Sequence, residues 1–434
     1  MSEFVLNKKR EALPVTVLLL LFTAPWILMI IASPKDSAAF MLTAGSIFSV
    51  FVIRDFHQDK RIFNTGLFVL FTHHTIAFVN AFFFSTPGSD ADALGFHNSA
   101  RIISEVGLVD LNTNGSKFFV NFLAVFYKAF GESHLLGMEL SVLAFFISTV
   151  ILLKILNSTG QTRYKHLVLL MYGMLPTSLM FTSITLRESW QILFFMLVVY
   201  SSIKLKFTKK LTWLFLLVLS MVGLSFWHNG FVALLPFLLF IAILWSFRSR
   251  KNKSIVLDIF IFIAAVGLIA LSSKLLGGSS AANALTSGDA LEYVEQYRSN
   301  SSLGTGASYV TSINFSGPIG TLLNTPIMIL GYMFAPYPWQ IRGVMDIYAF
   351  LESMFRLLLL VSSFKAWKNS SGDEKSLYGF LLIVFFLMEG LWSLGTSNWG
   401  TAMRHHLVAY GILLSVGGPR LCSSIKSRLA KIVQ

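Results

Sequence analysis

The chain alternates between long apolar stretches and short polar connections. The apolar stretches run for roughly 18 to 23 residues, the length an α-helix needs to cross a bilayer. Backbone groups in lipid must bond within their own segment, so repeated stretches of this length predict helices rather than isolated strands. About twelve spans are predicted, at 14–33, 37–53, 63–85, 135–156, 166–183, 187–205, 211–226, 230–247, 254–275, 345–364, 376–394 and 404–418.

Two long polar interruptions, 86–134 and 276–344, break this series. The first contains an amphipathic pattern typical of a helix at the membrane surface, followed by a short apolar helix at or dipping into the interface. The second ends in a stretch whose prolines, at positions 326, 336 and 338, predict a re-entrant segment rather than one straight helix. We therefore expect one all-α integral-membrane domain, 1–434.

The positive charges decide the orientation of this predicted bundle. If the N-terminus is cytoplasmic, 23 lysines and arginines fall on the cytoplasmic side and 9 on the other, so both termini are predicted to be cytoplasmic and both long loops extracytoplasmic. A net charge of +13 would suggest nucleic acid in a soluble protein, but here membrane topology accounts for it. The N-terminal stretch is expected to be a retained first helix. The single cysteine, Cys422, excludes an intramolecular disulfide.

Candidate chemistry in the first loop centres on two aspartates. Asp90 and Asp92 lie two residues apart just before the predicted helix, where both carboxylates could face one cavity. A carboxylate there could act as a general base or bind a divalent cation. The alternative for Asp90 is a helix N-cap. His97 is a candidate substrate contact, with simple burial at the interface as its alternative.

Two tight outer turns carry further candidates. Arg187 and Glu188 lie between two predicted spans, where charges are costly unless they reach water or each other. The planar guanidinium of Arg187 suits a diphosphate, and Glu188 is a candidate catalytic acid or base. His228, with Asn229, forms the next outer turn and is a candidate substrate contact. A plain solvated turn is the alternative for both.

The later polar segments supply the remaining candidates. Trp339 suits the headgroup layer or a sugar, and Arg342 an anionic group. The stretch SNWGTAMRHHL places Arg404 at the predicted start of the last span, where the helix dipole also favours an anion. Phosphate contacts are expected from Arg404, His405 and His406, and sugar contacts from Asn398 and Trp399. A polar helix cap is the alternative.

These stretches resemble a known family. The acidic first loop with Asp90 and Asp92, followed by amphipathic helices and many spans, resembles the GT-C superfamily of integral-membrane glycosyltransferases. The pieces PTSLMFTSITLRESW, PYPWQIRG and NWGTAMRHH are similar to stretches of bacterial O-antigen and exopolysaccharide polymerases of the Wzy type. The chain is expected to differ from oligosaccharyltransferases in having no large soluble C-terminal domain.

The resemblance implies transfer from a polyprenyl diphosphate-linked saccharide to a saccharide acceptor on the outer face of the bacterial inner membrane. Arginines, here Arg187, Arg342 and Arg404, would bind the diphosphate, and Asp92 or Asp90 would activate the acceptor hydroxyl. Membrane lipids, a chain-length regulator and a flippase are the implied partners, and nucleic acid is not expected. No resident cofactor or metal is expected, since the two aspartates alone make a poor set of metal ligands.

Two other functions remain open from the sequence. A GT-C enzyme that adds one sugar from a polyprenyl monophosphate donor would share the same layout. A transporter or lipid flippase would instead place ionisable residues near the bilayer midplane. His73 and His74, which lie inside a predicted span, are of that kind, although a hydrogen-bonded core histidine is the alternative reading.

Overall fold

The computed structural model describes residues 33–247, except 90, 112, 114 and 162, and residues 317–432. It also describes the separate residues 29, 31, 263, 267, 284, 287, 289, 292–296 and 298. The described chain is all-helical, as predicted. The α-helices in chain order are α1 Ser37–Val52, α2 Lys60–Phe82, α3 Ala91–Val106, α4 Gly115–Phe130, α5 His134–Ser158, α6 Lys165–Met174, α7 Pro176–Thr182, α8 Glu188–Thr208, α9 Leu211–Trp227, α10 Gly230–Phe247, α11 Gly317–Phe334, α12 Val344–Asn369, α13 Gly372–Gly395 and α14 Trp399–Ile432.

Six of the described helices are long and apolar enough to cross a membrane: α2, α5, α8, α10, α13 and α14. This confirms the prediction of membrane-spanning helices at that level. The predicted total of twelve spans stays a prediction, and two of its members, 14–33 and 254–275, lie almost wholly outside the described residues.

Several helix boundaries differ from the sequence prediction. The predicted span 166–183 is two helices, because Pro176 cannot continue the hydrogen bonding of α6 and instead starts α7. The last helix begins at Trp399 rather than at Arg404, so Arg404 lies in its second turn. Pro326 lies inside α11, whereas Pro336 and Pro338 follow its end.

The core of the bundle is built around α5 and α14. Nearly every residue of α5 from Leu135 to Leu156 is buried, including its polar Glu139. The second long helix, α14, packs against α12, α13, α8 and α6. It approaches α12 closely at Gly417, where an added Cβ would lie 2.5 Å from the carbonyl oxygen of Leu359. Backbone contact at a small residue of this kind is typical of helix packing in membranes.

Lysines cluster at one end of the bundle, which we call the basic end. Lys154 near the end of α5 donates to Asp55 at 2.7 Å, and Lys165 at the start of α6 donates to Gln58 at 2.9 Å. Lys206, near the end of α8, donates to the carbonyl oxygen of Trp245 at 2.7 Å. The starts of α8 and α14 lie at the opposite end, which we call the site end, together with α3 and α4.

The first long loop folds as a pair of helices at the site end. α3 and α4 pack on each other, with the ring centroids of Phe96 and Phe119 5.2 Å apart. Ala93, Ala100, Phe119 and Leu123 are buried. α3 lies where the sequence predicts the amphipathic helix of this loop. α4 packs on α9 as well, where the ring centroids of Phe118 and Trp227 are 5.0 Å apart.

Candidate functional site

Arg404 joins α14 to α3 and α8 at the site end. Its guanidinium Nη1 donates to Oδ2 of Asp92 at 2.6 Å and lies 4.0 Å from Oε1 of Glu188. The two carboxylates differ in exposure: the Asp92 side chain is 53% exposed, and that of Glu188 is 6% exposed. Three predicted site residues, distant along the chain, therefore meet in one cluster.

Arg187 extends this cluster towards α4. It immediately precedes Glu188, and its Nη1 donates to the hydroxyl of Ser116 at 2.8 Å. Gly115 starts α4 with a φ of +62°, and an added Cβ there would lie 3.1 Å from Oδ1 of Asn229 and 3.6 Å from Arg187. A left-handed backbone and this close approach both favour glycine. The start of α4 is thus fitted against the Arg187 turn.

His228 lies buried in the turn between α9 and α10. Its Nδ1 accepts the backbone NH of Gly230 at 3.0 Å, which ties the two helix ends together. Burial, and secondly the nearby Arg187, hold the pKa of His228 well below its usual value. A neutral imidazole next to the arginine cluster follows, with its ring 4.7 Å from that of Trp392.

The two adjacent histidines of α14 have different surroundings. His405 stacks on Trp392 with ring centroids 3.8 Å apart, and its Nδ1 lies 2.9 Å from the hydroxyl of Thr396. His406 points into the bundle, where its Nδ1 lies 2.5 Å from Oε2 of Glu389. Both rings are buried and engaged by protein groups, which disfavours their predicted role as direct phosphate ligands.

Asn398 and Trp399 hold the start of α14. The side-chain oxygen of Asn398 accepts the NH of Thr401 at 2.8 Å, which is an N-cap contact, and Nε1 of Trp399 donates to Oδ1 of Asp346 at 2.8 Å. Both side chains are buried. These contacts favour the helix-cap alternative for both residues, and their sugar contacts stay a prediction.

Arg342 and Trp339 lie apart from the Arg404 cluster. Arg342 is exposed, its backbone NH donates to Asp346 at 2.9 Å, and no described contact joins it to Arg187 or Arg404. Trp339 is 79% exposed, with its ring centroid 5.1 Å from that of Tyr337. Arg187 is the chain neighbour of Glu188, which Arg404 approaches, whereas Arg342 has no described contact with this cluster.

His97 connects the loop helices. Its Nδ1 and the hydroxyl of Tyr127 are 2.9 Å apart, and its Nε2 lies 3.1 Å from a carboxylate oxygen of Glu132. Burial, and secondly Arg101, lower the pKa of His97, and burial raises that of Tyr127. These contacts fit the burial alternative, in which His97 fastens α3 to the end of α4.

A divalent cation at Asp90 and Asp92 is an option that the sequence leaves open, although no resident metal is expected. Asp90 lies outside the described residues, so its predicted role is untouched. Within the described part of the chain, no group of three or more His, Cys, Asp or Glu side chains is placed to hold a metal ion.

A cavity of about 660 Å³ opens between α3 and α4, beside the Arg404 cluster. We call it the α3–α4 cavity. Two of its lining residues contact the arginines: Asp92 accepts a hydrogen bond from Arg404, and Ser116 accepts one from Arg187. Its further lining residues are Gly95, Phe96, Ser99, Ile103, Leu108, Asp110, Thr113, Lys117, Val120 and Asn121.

The structure adds one residue that sequence reasoning missed. Arg298 is 7% exposed, and its Nη1 lies 3.2 Å from the carbonyl oxygens of both Ser393 and Leu394 at the end of α13. A cation at a helix C-terminus is favourable, and here it is supplied from the second long loop. No local pattern around Arg298 in the sequence signals this contact, because its partners lie almost a hundred residues away.

No protein-family model matches this chain, and a search of curated proteins finds no similar sequence. The interpretation of the site therefore depends on its own geometry.

Proposed function

We propose that the chain is a membrane glycosyltransferase that takes its sugar from a polyprenyl diphosphate-linked saccharide and extends a surface polysaccharide. The observation that carries this proposal is the meeting of Arg404, Asp92 and Glu188, beside Arg187, next to the α3–α4 cavity. An acid–base group beside two guanidinium groups is what transfer from a diphosphate leaving group requires.

In the proposed reaction, an acceptor hydroxyl attacks the anomeric carbon of the donor sugar. The bond from that carbon to the phosphate oxygen breaks, and its electron pair leaves with the diphosphate. Asp92 takes the hydroxyl proton, and Arg404 and Arg187 stabilise the charge that develops on the leaving group. Asp92 suits this role better than Glu188 because its side chain is more exposed and can reach a substrate.

The ion pair between Arg404 and Asp92 implies that the donor binds before Asp92 acts as a base. A partly exposed pair of this kind contributes little to stability, about 0 to 1 kcal/mol, so a diphosphate can compete with Asp92 for the guanidinium. Donor binding would then release the Asp92 carboxylate to act as base. Glu188 remains beside Arg404 in its buried position and helps to hold the side chain in place.

We place this chemistry on the extracytoplasmic face of a bacterial inner membrane. Support comes from the lysines at the basic end, since cytoplasmic ends of membrane proteins carry an excess of positive charge. Phe82, Phe83 and Phe84 at the end of α2 and Leu94 on α3 are exposed apolar side chains that suit the lipid surroundings and the polyprenyl tail. A chain-length regulator and a flippase would be its partners.

Substitution of Arg404 tests the proposal. In cells that depend on this chain for a polysaccharide, Arg404→Ala should abolish chain elongation, because the leaving group loses its main cation, while the protein stays as abundant as the wild type. Polymer length is read on a gel. The matched control is Arg101→Ala, since Arg101 is an exposed arginine of α3 with no part in the cluster. A normal length distribution in Arg404→Ala would exclude the proposed role.

A transporter or flippase is the second candidate, and buried ionisable pairs favour it. His74 lies 2.6 Å from Glu139, and His406 lies 2.5 Å from Glu389, all within helices that could span the membrane. Ionisable residues within membrane-spanning helices commonly have a functional role. Product analysis separates the candidates: a ladder of lengths indicates a polymerase, a single added sugar the monophosphate-dependent variant, and movement of unmodified substrate across a bilayer a transporter.

A further inference from the structure

The α3–α4 cavity is lined by both polar and apolar residues. Its volume of about 660 Å³ lies within the range of small-molecule sites. The large apolar lining residues are Phe96, Ile103, Leu108 and Val120. The charged and hydroxyl-bearing lining residues are Asp92, Ser99, Asp110, Thr113, Ser116 and Lys117.

This lining offers both donors and acceptors rather than a single charge. Two carboxylates accept, one ammonium donates, and three hydroxyls do either. A ligand that is only anionic would meet two carboxylates and one lysine, which is unfavourable. A ligand with many hydroxyls and a partly apolar ring face would match both kinds of lining residue.

We propose that the α3–α4 cavity binds the acceptor saccharide, with a sugar ring face on Phe96 and hydroxyls bonded to Asp110 and Lys117. This inference rests on the proposed function, and it assigns the two substrates to different places. The donor diphosphate belongs to Arg404 and Arg187, and the acceptor to the cavity. Because Asp92 lines the cavity and also contacts Arg404, an acceptor bound there presents its hydroxyl to the proposed base.

Gly95 provides a way to close the cavity without touching its polar groups. It lines the cavity, and a Cβ added there would meet no atom within 4 Å. Gly95→Leu therefore fills space and also replaces a poor helix former by a good one within α3. Gly45 in α1 is a matched control, because it too is an exposed helical glycine with open space around its Cβ position.

The experiment is a glycan array probed with the purified chain in lipid nanodiscs, with no polyprenyl donor present. We expect the wild type and Gly45→Leu to bind the same glycans, and Gly95→Leu to bind them at least about tenfold more weakly. Equal elution profiles of the three proteins during purification show that they are folded alike. Inorganic phosphate binding is measured in parallel.

Three results would overturn the inference: no glycan bound by the wild type, equal glycan binding by Gly95→Leu, or a loss of phosphate binding instead of glycan binding in that variant. The last would identify an anion site. Since the array measures binding without transfer, it can fail while Arg404→Ala still abolishes elongation. Glycan binding can equally succeed while the proposed transfer reaction is disproved by normal polymers in Arg404→Ala.

Discussion

At the scale of single residues, Arg404 lies between two carboxylates with different access to water. Asp92 is half exposed on a loop helix, whereas Glu188 is buried at the first position of α8. Among the described residues, Oε2 of Glu188 has no hydrogen-bond partner. A buried carboxylate is stabilised by the positive end of its helix and by a nearby guanidinium. The exposed one is the better candidate for contact with substrate.

Asp92→Asn tests the base directly. The amide keeps the size of the side chain but cannot take a proton, so we expect the transfer rate to fall by about 100-fold or more. The rate is measured on membranes with a lipid-linked substrate, and protein abundance is measured in the same samples. Glu105→Gln is the control, because Glu105 is an exposed carboxylate of the same helix. An unchanged rate in Asp92→Asn would remove Asp92 from the mechanism.

The side chains of His405 and His406 point in different directions although the two residues are adjacent. Successive side chains on an α-helix point about 100° apart, so His405 and His406 cannot both face the cluster of Arg404. His406 instead bonds with Glu389 and, through Nε2, with the carbonyl oxygen of Tyr332 at 3.1 Å. The sequence places these histidines together, and the helix separates them.

At the scale of elements, α14 connects the site to the interior of the bundle. Its first turns carry Arg404 and both histidines, and further along it packs against α12 at Gly417. Ser363 on α12 donates to the carbonyl oxygen of Leu359 at 2.8 Å and also approaches the carbonyl of Leu413 at 3.4 Å. This contact fixes how close the two helices lie, and therefore where α14 presents its site end.

Gly417→Ala should destabilise the bundle. The added methyl would lie 2.5 Å from a backbone carbonyl oxygen that no rotamer change can move away. We expect a loss of about 1 to 3 kcal/mol, as for other overpacked helix contacts. Gly390→Ala in α13, whose Cβ would meet nothing within 4 Å, is the control. The midpoint of thermal unfolding in detergent should fall for the first variant only, and equal midpoints would contradict the close contact.

At the scale of the whole molecule, charge divides the bundle into two ends. The basic end carries the lysines that contact Asp55, Gln58 and Trp245. The site end carries Asp92, Glu188, Arg187 and Arg404. On the positive-inside rule, we propose that the site end faces outward. If the orientation were reversed, the site would face a compartment where nucleotide-linked rather than polyprenyl-linked donors are expected to matter.

Cysteine labelling tests this orientation. In a Cys422→Ser background, Asn98→Cys on α3 should react with a membrane-impermeant maleimide on intact cells, because Asn98 is exposed at the site end. Ser424→Cys, exposed near the end of α14, should react only after the membrane is opened. Labelling of Ser424→Cys alone on intact cells would reverse the assignment of the two faces.

Much of the fold and part of the site could be predicted from the sequence. Hydropathy and charge predicted an all-helical protein, the long apolar helices and the amphipathic α3, because these properties are local. Hydropathy predicts one helix across Pro176, but proline has no backbone NH to continue the hydrogen bonding, so the helix is interrupted there. In the site, tight turns indicated Arg187 and Glu188, and an acidic loop indicated Asp92. Arg342 was predicted to join them because it is a cation in an outer segment, but no described contact links it to the cluster.

The sequence by itself determined that this chain forms apolar helices and which side chains are available at their ends, because both follow from composition over a few helical turns. Only the tertiary structure decided which of those side chains meet. Arg404 reaches Asp92 across 312 positions of the chain, and His406 is directed to Glu389 instead of the site. Such pairings depend on the rotation and depth of packed helices, which are set by contacts such as that at Gly417 and leave no local pattern.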